Sequence, residues 1–319
     1  MCVKKLLWCG QSSWILFNMI DLHIHTIASS DGQHTPREIF TMAKDRGLIA
    51  IAFADHNSVG SVAEGISLSK EYGIEFIPCL EFNTIYQDLD LHMLAYFVDY
   101  QGKELTKWLE AIYQEKQMQA TTRIEKLNEL GFMFSAEDVK SISGDKIPTG
   151  MSYLKAIMGR GENKGDPRIQ RFINGDRSDS PYVNFYLDYL RGGKPAFVPL
   201  RTVDTFYVME RIKQLGGIPV LAHPSDTGDK VILELIEGGL WGLEVFSSYH
   251  NPEEEAHFLS LAQKHHLLIT AGSDFHGVEI KPDVKIGEIR GNSYGLVKKL
   301  KEAREKILIS KSETRNNLK

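Results

Sequence analysis

Cysteine is scarce in this chain. The three present (Cys2, Cys9 and Cys79) are scattered and odd in number. That excludes a disulfide framework and a thiolate zinc site, and it suits a reducing, cytoplasmic setting. An excess of positive charge is also lacking: 37 Lys and Arg stand against 42 Asp and Glu, a formal net charge of −5. No global electrostatic argument for nucleic-acid binding follows, although local basic patches stay open. Long apolar runs are missing too. The opening "MCVKKLLWCGQSSWILFNM" has lysines and apolar clusters, but Gly10 to Ser13 interrupt it and no small-x-small cleavage site follows. It is too short and too broken to span a membrane. Residues 1–19 read as an N-terminal extension, either native or the product of a misassigned start codon. There is no internal repeat and no low-complexity tract.

What remains is the composition of an ordinary globular protein, 42% hydrophobic and 25% charged over 319 residues. That length holds one large α/β domain or two modest ones. Apolar runs at 48–55, 74–82 and 91–98 read as buried parallel strands, separated by helical patterns. "TPREIFTMAKDRG" opens on Thr35, with Pro36 next and Glu38 three residues after the cap, a capping box that stops at Gly47. "SVAEGISLSKEYG" repeats the plan up to Gly73. From 103 to 195 the rhythm changes to a long helix, a Ser135-capped helix, a polar stretch and a helix ending in glycines. This region reads as a mostly helical insertion. Strand and helix then alternate again: "PAFVP", helix 204–216, "IPVLAHP", helix 229–237, "WGLEVFSSYH", helix 252–266, "LLITAGSDFH", and a last helix over 294–309 before a frayed tail. The α/β class, as a parallel sheet or barrel, follows.

The polar residues fall at recurring points of this pattern. "IDLHIHT" puts His23 and His25 on one face of the first strand, beside Asp21. Asp31 follows, the second strand runs into Asp55 and His56, and the third into Glu81. His92 lies on the fourth, His223 follows "PVLA", and Asp274 and His276 follow "LLITAGS". Six of the eleven histidines thus lie at or just beyond strands. A single one reads as a hydrogen-bonded core histidine. Together, with several carboxylates, they would leave many buried polar groups unpaired, and a divalent-metal cluster satisfies them at once.

In order, Asp21-Leu-His23-Ile-His25, Ser30-Asp31-Gly32, Asp55-His56, Glu81, His92, Ala222-His223-Pro224 and Gly272-Ser273-Asp274-Phe275-His276 resemble the signature motifs of the polymerase-and-histidinol-phosphatase (PHP) family of metal-dependent phosphoesterases. The resemblance covers Ile20 to about 309, and the insertion is similar to that of the stand-alone nucleoside 3′,5′-bisphosphate phosphatases and 5′→3′ exoribonucleases. It implies an irregular (βα)7 barrel over 20–102 and 196–310, an insertion or lid domain over 103–195, and a flexible tail over 311–319. It also implies three divalent ions of manganese, iron or zinc. His23, His25, Glu81 and Asp274 would hold the first; Glu81, His92 and His223 the second; Asp31, His56 and His276 the third. Asp31 stands where some family members have histidine, and Asn57 where many have Asp after the DH pair. Ions about 3.5–4 Å apart share a bridging hydroxide and clamp a phosphate. Asp55 is expected to orient His56.

Three further residues are candidates for substrate contact: His250 on the loop after "WGLEVF", Lys194 in "GGKPAFVP" and Arg123 in the long insertion helix. His250 is also a candidate proton donor to a leaving oxygen, beside Asp55 and Asp274 as catalytic residues. The resulting expectation is a cytoplasmic hydrolase of phosphate monoesters on small nucleotides, without membrane association or an evident obligate protein partner. Stepwise cleavage of short RNA, histidinol-phosphate hydrolysis, a metal-dependent amidohydrolase and a non-catalytic scaffold are the rivals.

Overall fold

A computed structural model describes residues 19–87, 89–200 and 203–317; apart from Met19, the expected N-terminal extension lies outside them. The chain opens with β1 (Met19–Ile24), α1 (Pro36–Asp45), β2 (Leu48–Phe53), α2 (Val62–Tyr72), β3 (Glu75–Phe76), β4 (Glu81–Tyr86) and β5 (Leu89–Tyr96). The capping box of α1 is present, with the Thr35 side chain accepting from the Glu38 amide and Glu38 reaching back. α2 departs from that plan. Ser61 makes no cap bond, because its hydroxyl donates to Asp55 instead.

Five helices follow: α3 (Lys103–Glu129), α4 (Ala136–Ser143), α5 (Gly150–Gly159), α6 (Pro167–Asn174) and α7 (Pro181–Phe185), the last continuing into a π-turn over Tyr186–Leu190. α6 occupies the polar stretch, capped by Asp166 and started by Pro167. α3 links two cores. Leu105, Trp108 and Ile112 pack with strand residues such as Phe82 and Met93. Leu127 instead joins a separate cluster with Phe132, Tyr153, Phe172 and Phe185.

The rest of the chain supplies α8 (Thr205–Gln214), β6 (Ile218–Leu221), α9 (Asp229–Glu237), β7 (Gly242–Ser247), α10 (Pro252–Lys264), β8 (Leu268–Gly272) and α11 (Tyr294–Asn317). α11 runs on to Asn317, into the segment expected to be a frayed tail. "PAFVP" is not a strand. A proline at each end removes ladder donors, and the Ala196 amide bonds the Tyr189 carbonyl while the side chain joins the insertion core.

The strands form sheets of order β1-β2-β3 and β4-β5-β6-β7-β8. Main-chain bonds join them at both edges. At one seam Asp274 N donates to His23 O (2.8 Å) and His25 N to Phe275 O (2.9 Å). At the other Asn57 N donates to Glu81 O (2.8 Å) and Glu81 N to Asp55 O (3.2 Å). With β3 and β4 as successive parts of one strand, this is the irregular α/β barrel expected. One direction differs: β5 is antiparallel to both β4 and β6. Only residues 87 and 88 separate β4 from β5, too few for the crossover a parallel pair requires.

Candidate metal centre

Strand alternation fixes the first part of the site. Ile20 and Leu22 share a core with Val297 and Leu300 of α11, while Asp21, His23 and His25 take the other face, all fully buried. Asp21 is not placed to bind an ion. Its carboxylate accepts from the amides of Ser273 (2.9 Å) and Gly287 (2.7 Å), tying β1 to the chain after β8. His23 and His25 present their Nε2 atoms to each other at 3.2 Å, and both face Asp274 Oδ1, at 3.3 and 3.1 Å.

Glu81, the first residue of β4, is the centre of the arrangement. Its side chain is inaccessible to solvent, and its oxygens lie 3.4 Å from His23, 3.3 Å from His25, 3.0 Å from His56, 3.1 Å from His92 and 3.4 Å from His223. Yet neither Glu81 oxygen, nor Asp274 Oδ1, nor His92 Nδ1 makes a hydrogen bond of acceptable geometry. A buried carboxylate ringed by imidazoles but bonded to none of them has the donor set and the unmet polarity of a cation site. The ligand atoms of His23, His25, Glu81 and Asp274 all lie within 4.8 Å of one another, as do those of His25, Asp31, His56 and His276, and those of His56, Glu81 and His92. His25 and His56 each belong to two groups. His223, expected in the second, is in none of these groups; its Nε2 lies 3.4 Å from Glu81 and its ring packs against those of His23 and His92.

The electrostatics express the same crowding. Burial opposes charge on His25, but the adjacent Asp274 and Glu81 carboxylates lift its pKa to about 9. His23 is likewise held well above its ordinary value against burial, by Glu81, Glu244 and Asp274. Glu81 stays well below the usual carboxylate range despite burial because His92, His23 and His56 surround it. His276 goes the other way, pushed by burial, with help from His25, down to about 4. Protons on some imidazoles thus balance carboxylates that a bound cation would otherwise balance.

Several positioning residues escaped the sequence reading. Glu244, on β7 and fully buried, accepts from His23 Nδ1 (3.1 Å) and from the His223 amide (2.9 Å). It is the carboxylate that orients a ligand-type imidazole, and an acid inside the apolar "WGLEVF" was the available signal. Asn83, on β4, sets its amide nitrogen between His56 Nδ1 (3.3 Å) and His92 Nε2 (3.1 Å). Its oxygen accepts from Asn57 (2.6 Å) and from Lys116 of α3. Tyr249 donates to Asp274 Oδ2 (2.8 Å), which also meets the Lys281 ammonium.

Three expectations are corrected. Asp55 does not touch the His56 ring. It accepts from the Thr26 amide (2.6 Å), the Thr26 hydroxyl (2.9 Å) and Ser61, so it closes the loop after β1. His250 is buried in the loop after β7 and not exposed on it. Its ring is 4% exposed, its Nδ1 bonds the Val245 carbonyl (2.8 Å), and it packs on Phe258, leaving Tyr249 at the position expected of it. Lys194 is exposed in a turn, and its side chain has no polar contact among the described residues. Arg123 does lie on α3, where it donates to the Leu190 carbonyl (3.3 Å) inside the insertion.

A cavity of about 250 Å³ opens beside this centre, with His56, Asn57 and Ser58 on the barrel side and Tyr113, Lys116 and Lys146 on the insertion side. Such a mouth, with clustered imidazoles and carboxylates at strand ends, defines a metal-dependent hydrolase of the α/β-barrel kind. Residues 21–145 match the family description "PHP domain". A "5′-3′ exoribonuclease" of Haemophilus influenzae is 25% identical over 262 residues, covering 80% of this chain and 89% of that one. A "3′,5′-nucleoside bisphosphate phosphatase" of Chromobacterium violaceum is 26% identical over 263 residues, covering 81% and 87%. In fold, the chain is similar to a solved Bifidobacterium adolescentis protein, a candidate metal-dependent phosphoesterase, with TM-score 0.70, 24% identity and coverage of 88% and 94%.

Proposed function

We propose that this chain is a metal-dependent phosphoesterase that hydrolyses phosphate esters of small nucleotides. The observation that carries the reading is Glu81: buried, unbonded, and 3.0–3.4 Å from the nitrogens of five histidines. His23, His25, Glu81 and Asp274 would hold one divalent ion; Glu81 with His92 and His223 a second; Asp31, His56 and His276 a third. Mixed imidazole and carboxylate donors suit manganese, iron or zinc. Bound ions supply the Lewis acidity and the activated water that phosphoester hydrolysis needs. The protein's own residues fix the geometry: Glu244 holds the His23 ring, Asn83 spans His56 and His92, and Tyr249 and Lys281 hold the far oxygen of Asp274.

The relatives' names offer two substrate classes, a nucleoside bisphosphate and RNA. The pairing of five of the insertion's six arginines with carboxylates favours the small one. Arg160 pairs with Asp138, Arg168 with Asp166, Arg171 with Asp176, Arg177 with Asp188 and Arg191 with Asp226. A basic track for a long nucleic acid needs unpaired cations. Residues 103–195 act in this reading as a lid over the barrel mouth, consistent with their separate core. A short oligonucleotide is the second reading. It is favoured by a neighbouring cavity of about 300 Å³ that shares Tyr113, Asp145 and Lys146 with the first.

The test is phosphate release from nucleoside 3′,5′-bisphosphates, nucleoside monophosphates, histidinol phosphate and short 5′-phosphorylated RNAs with manganese, wild type beside Asp274→Ala. Turnover that disappears in the variant is expected. Silence across the panel from manganese-loaded protein would overturn the reading.

A further inference from the structure

The two carboxylate oxygens of Asp274 have opposite surroundings. Oδ2 is engaged twice: the Tyr249 hydroxyl donates to it at 2.8 Å, and the Lys281 ammonium meets it from the loop after β8. Oδ1 makes no hydrogen bond and faces Nε2 of His23 and His25 at 3.3 and 3.1 Å. The Lys281 side chain is only 14% exposed, its ammonium lies 5.0 Å from the centre of the Tyr249 ring, and that ring packs edge-on against His223. The backbone at Lys281 is tied on both sides, its amide donating to the Gly277 carbonyl (3.0 Å) and its carbonyl accepting from the Val284 amide (3.2 Å). Asp274 itself has φ of 56°, in the left-handed region that a non-glycine residue keeps only where its surroundings over-determine it. Among the described residues, Asp274 is the one candidate ligand carboxylate with a lysine or arginine partner. The ion pairs of Asp31 and Glu81 are with imidazoles.

We propose that Lys281 and Tyr249 are positioning residues that restrict Asp274 to ligation of the first ion through Oδ1 alone. A carboxylate can hold a cation with one oxygen or with both. Here two donors occupy one oxygen and leave the other without a partner. The inference rests on the metal assignment within the phosphoesterase reading and says how that site stays open. A carboxylate that gives one oxygen instead of two leaves a place beside it for a water or a phosphoryl oxygen, as a catalytic ion requires. The clamp also sets a positive charge next to a cation site. It therefore weakens metal binding, the reverse of the effect of Glu244, whose charge lies behind the His23 ring.

The experiment compares wild type with Tyr249→Phe, Lys281→Met, the double variant and Lys281→Arg. Crystals of the manganese-loaded proteins read the ligation directly. Oδ1 alone should meet the ion in wild type and in Lys281→Arg, and both oxygens in the double variant. Both oxygens on the ion in wild type, or Oδ1 alone in the double variant, overturns the clamp. Calorimetric manganese titration of chelator-treated protein reads the same device in solution. The double variant should bind about threefold or more tighter than wild type, because an oxygen joins the ion and a like charge leaves its neighbourhood. Lys281→Arg should bind as wild type does. A smaller gain, or the weaker binding that follows from losing a partner that only orients its ligand, overturns the proposal. Should the double variant not fold, Lys281→Met decides by the same two readings. Wild type that takes up no manganese at Asp274 overturns the clamp as well. Phosphate release is scored separately: if manganese-loaded wild type hydrolyses no ester, the phosphoesterase reading fails, while ligation and affinity still decide the clamp.

Discussion

Replacing Glu244 by Gln removes one charge and one acceptor from a position with no access to solvent. Both carboxylate oxygens are in use: Oε1 takes His23 Nδ1 at 3.1 Å and Oε2 takes the His223 amide at 2.9 Å. Glutamine has one acceptor oxygen, so its NH2 group must face one of those two donors. Leaving one buried donor unsatisfied costs about 1–3 kcal/mol of stability. The His23 ring, no longer anchored on the side away from the cluster, should lose about 10–100-fold in divalent-metal affinity, the usual effect of removing such a partner. The assay is a manganese titration of chelator-treated protein, followed by calorimetry and by activity, beside urea unfolding of both proteins. Manganese affinity within about twofold of wild type, in a variant that loses the expected stability, would refute the reasoning, because a partner of this kind shifts affinity tenfold or more.

Other outcomes follow from the same geometry. A Cβ at position 272 would overlap the His23 Cβ and lie 2.5 Å from Glu244 Oε1, so Gly272→Ala should cost about 1–3 kcal/mol by overpacking and weaken manganese binding with it. Thermal unfolding and the same titration read both effects. Asp55→Ala strands the Thr26 amide and two hydroxyls in a buried loop, and should destabilise by about 2–5 kcal/mol in urea unfolding. Full stability with activity lost would return Asp55 to a role on His56. Metal binding should release protons. His25, raised to about 9, keeps its proton below that pH, so a cation must displace it, and manganese affinity should climb as pH rises from 6 toward 9. Calorimetry in two buffers of different ionisation enthalpy counts the protons; none released at pH 7 would contradict the assignment.

The nine candidate ligands were legible because a polar side chain at the end of a buried apolar strand needs a reason, and such positions recur in step with the βα units. Their supporting residues were less so, for separate physical causes. Asp55 chooses its partners through closure of a loop that brings Thr26 and Ser61 to it, and adjacency to His56 in sequence says nothing about that. Tyr249 and His250 are neighbours whose exchange of places depends on how the chain turns after β7. Glu244 carried a readable signal, a charge amid apolar residues, that spacing arguments passed over. The direction of β5 was also readable, since even the eight residues between the apolar runs at 74–82 and 91–98 are too few for a parallel crossover. The apolar pattern of the strand is the same in either direction, which is why it misled. The Lys116 contact with Asn83 needed the packing of α3 against the barrel, a tertiary fact.

The most direct measurement is an anomalous difference map from crystals grown with manganese, collected at the manganese edge. The account predicts peaks among His23, His25, Glu81 and Asp274, between Glu81, His92 and His223, and among Asp31, His56 and His276. Manganese-saturated crystals with no peak against Glu81 would contradict it.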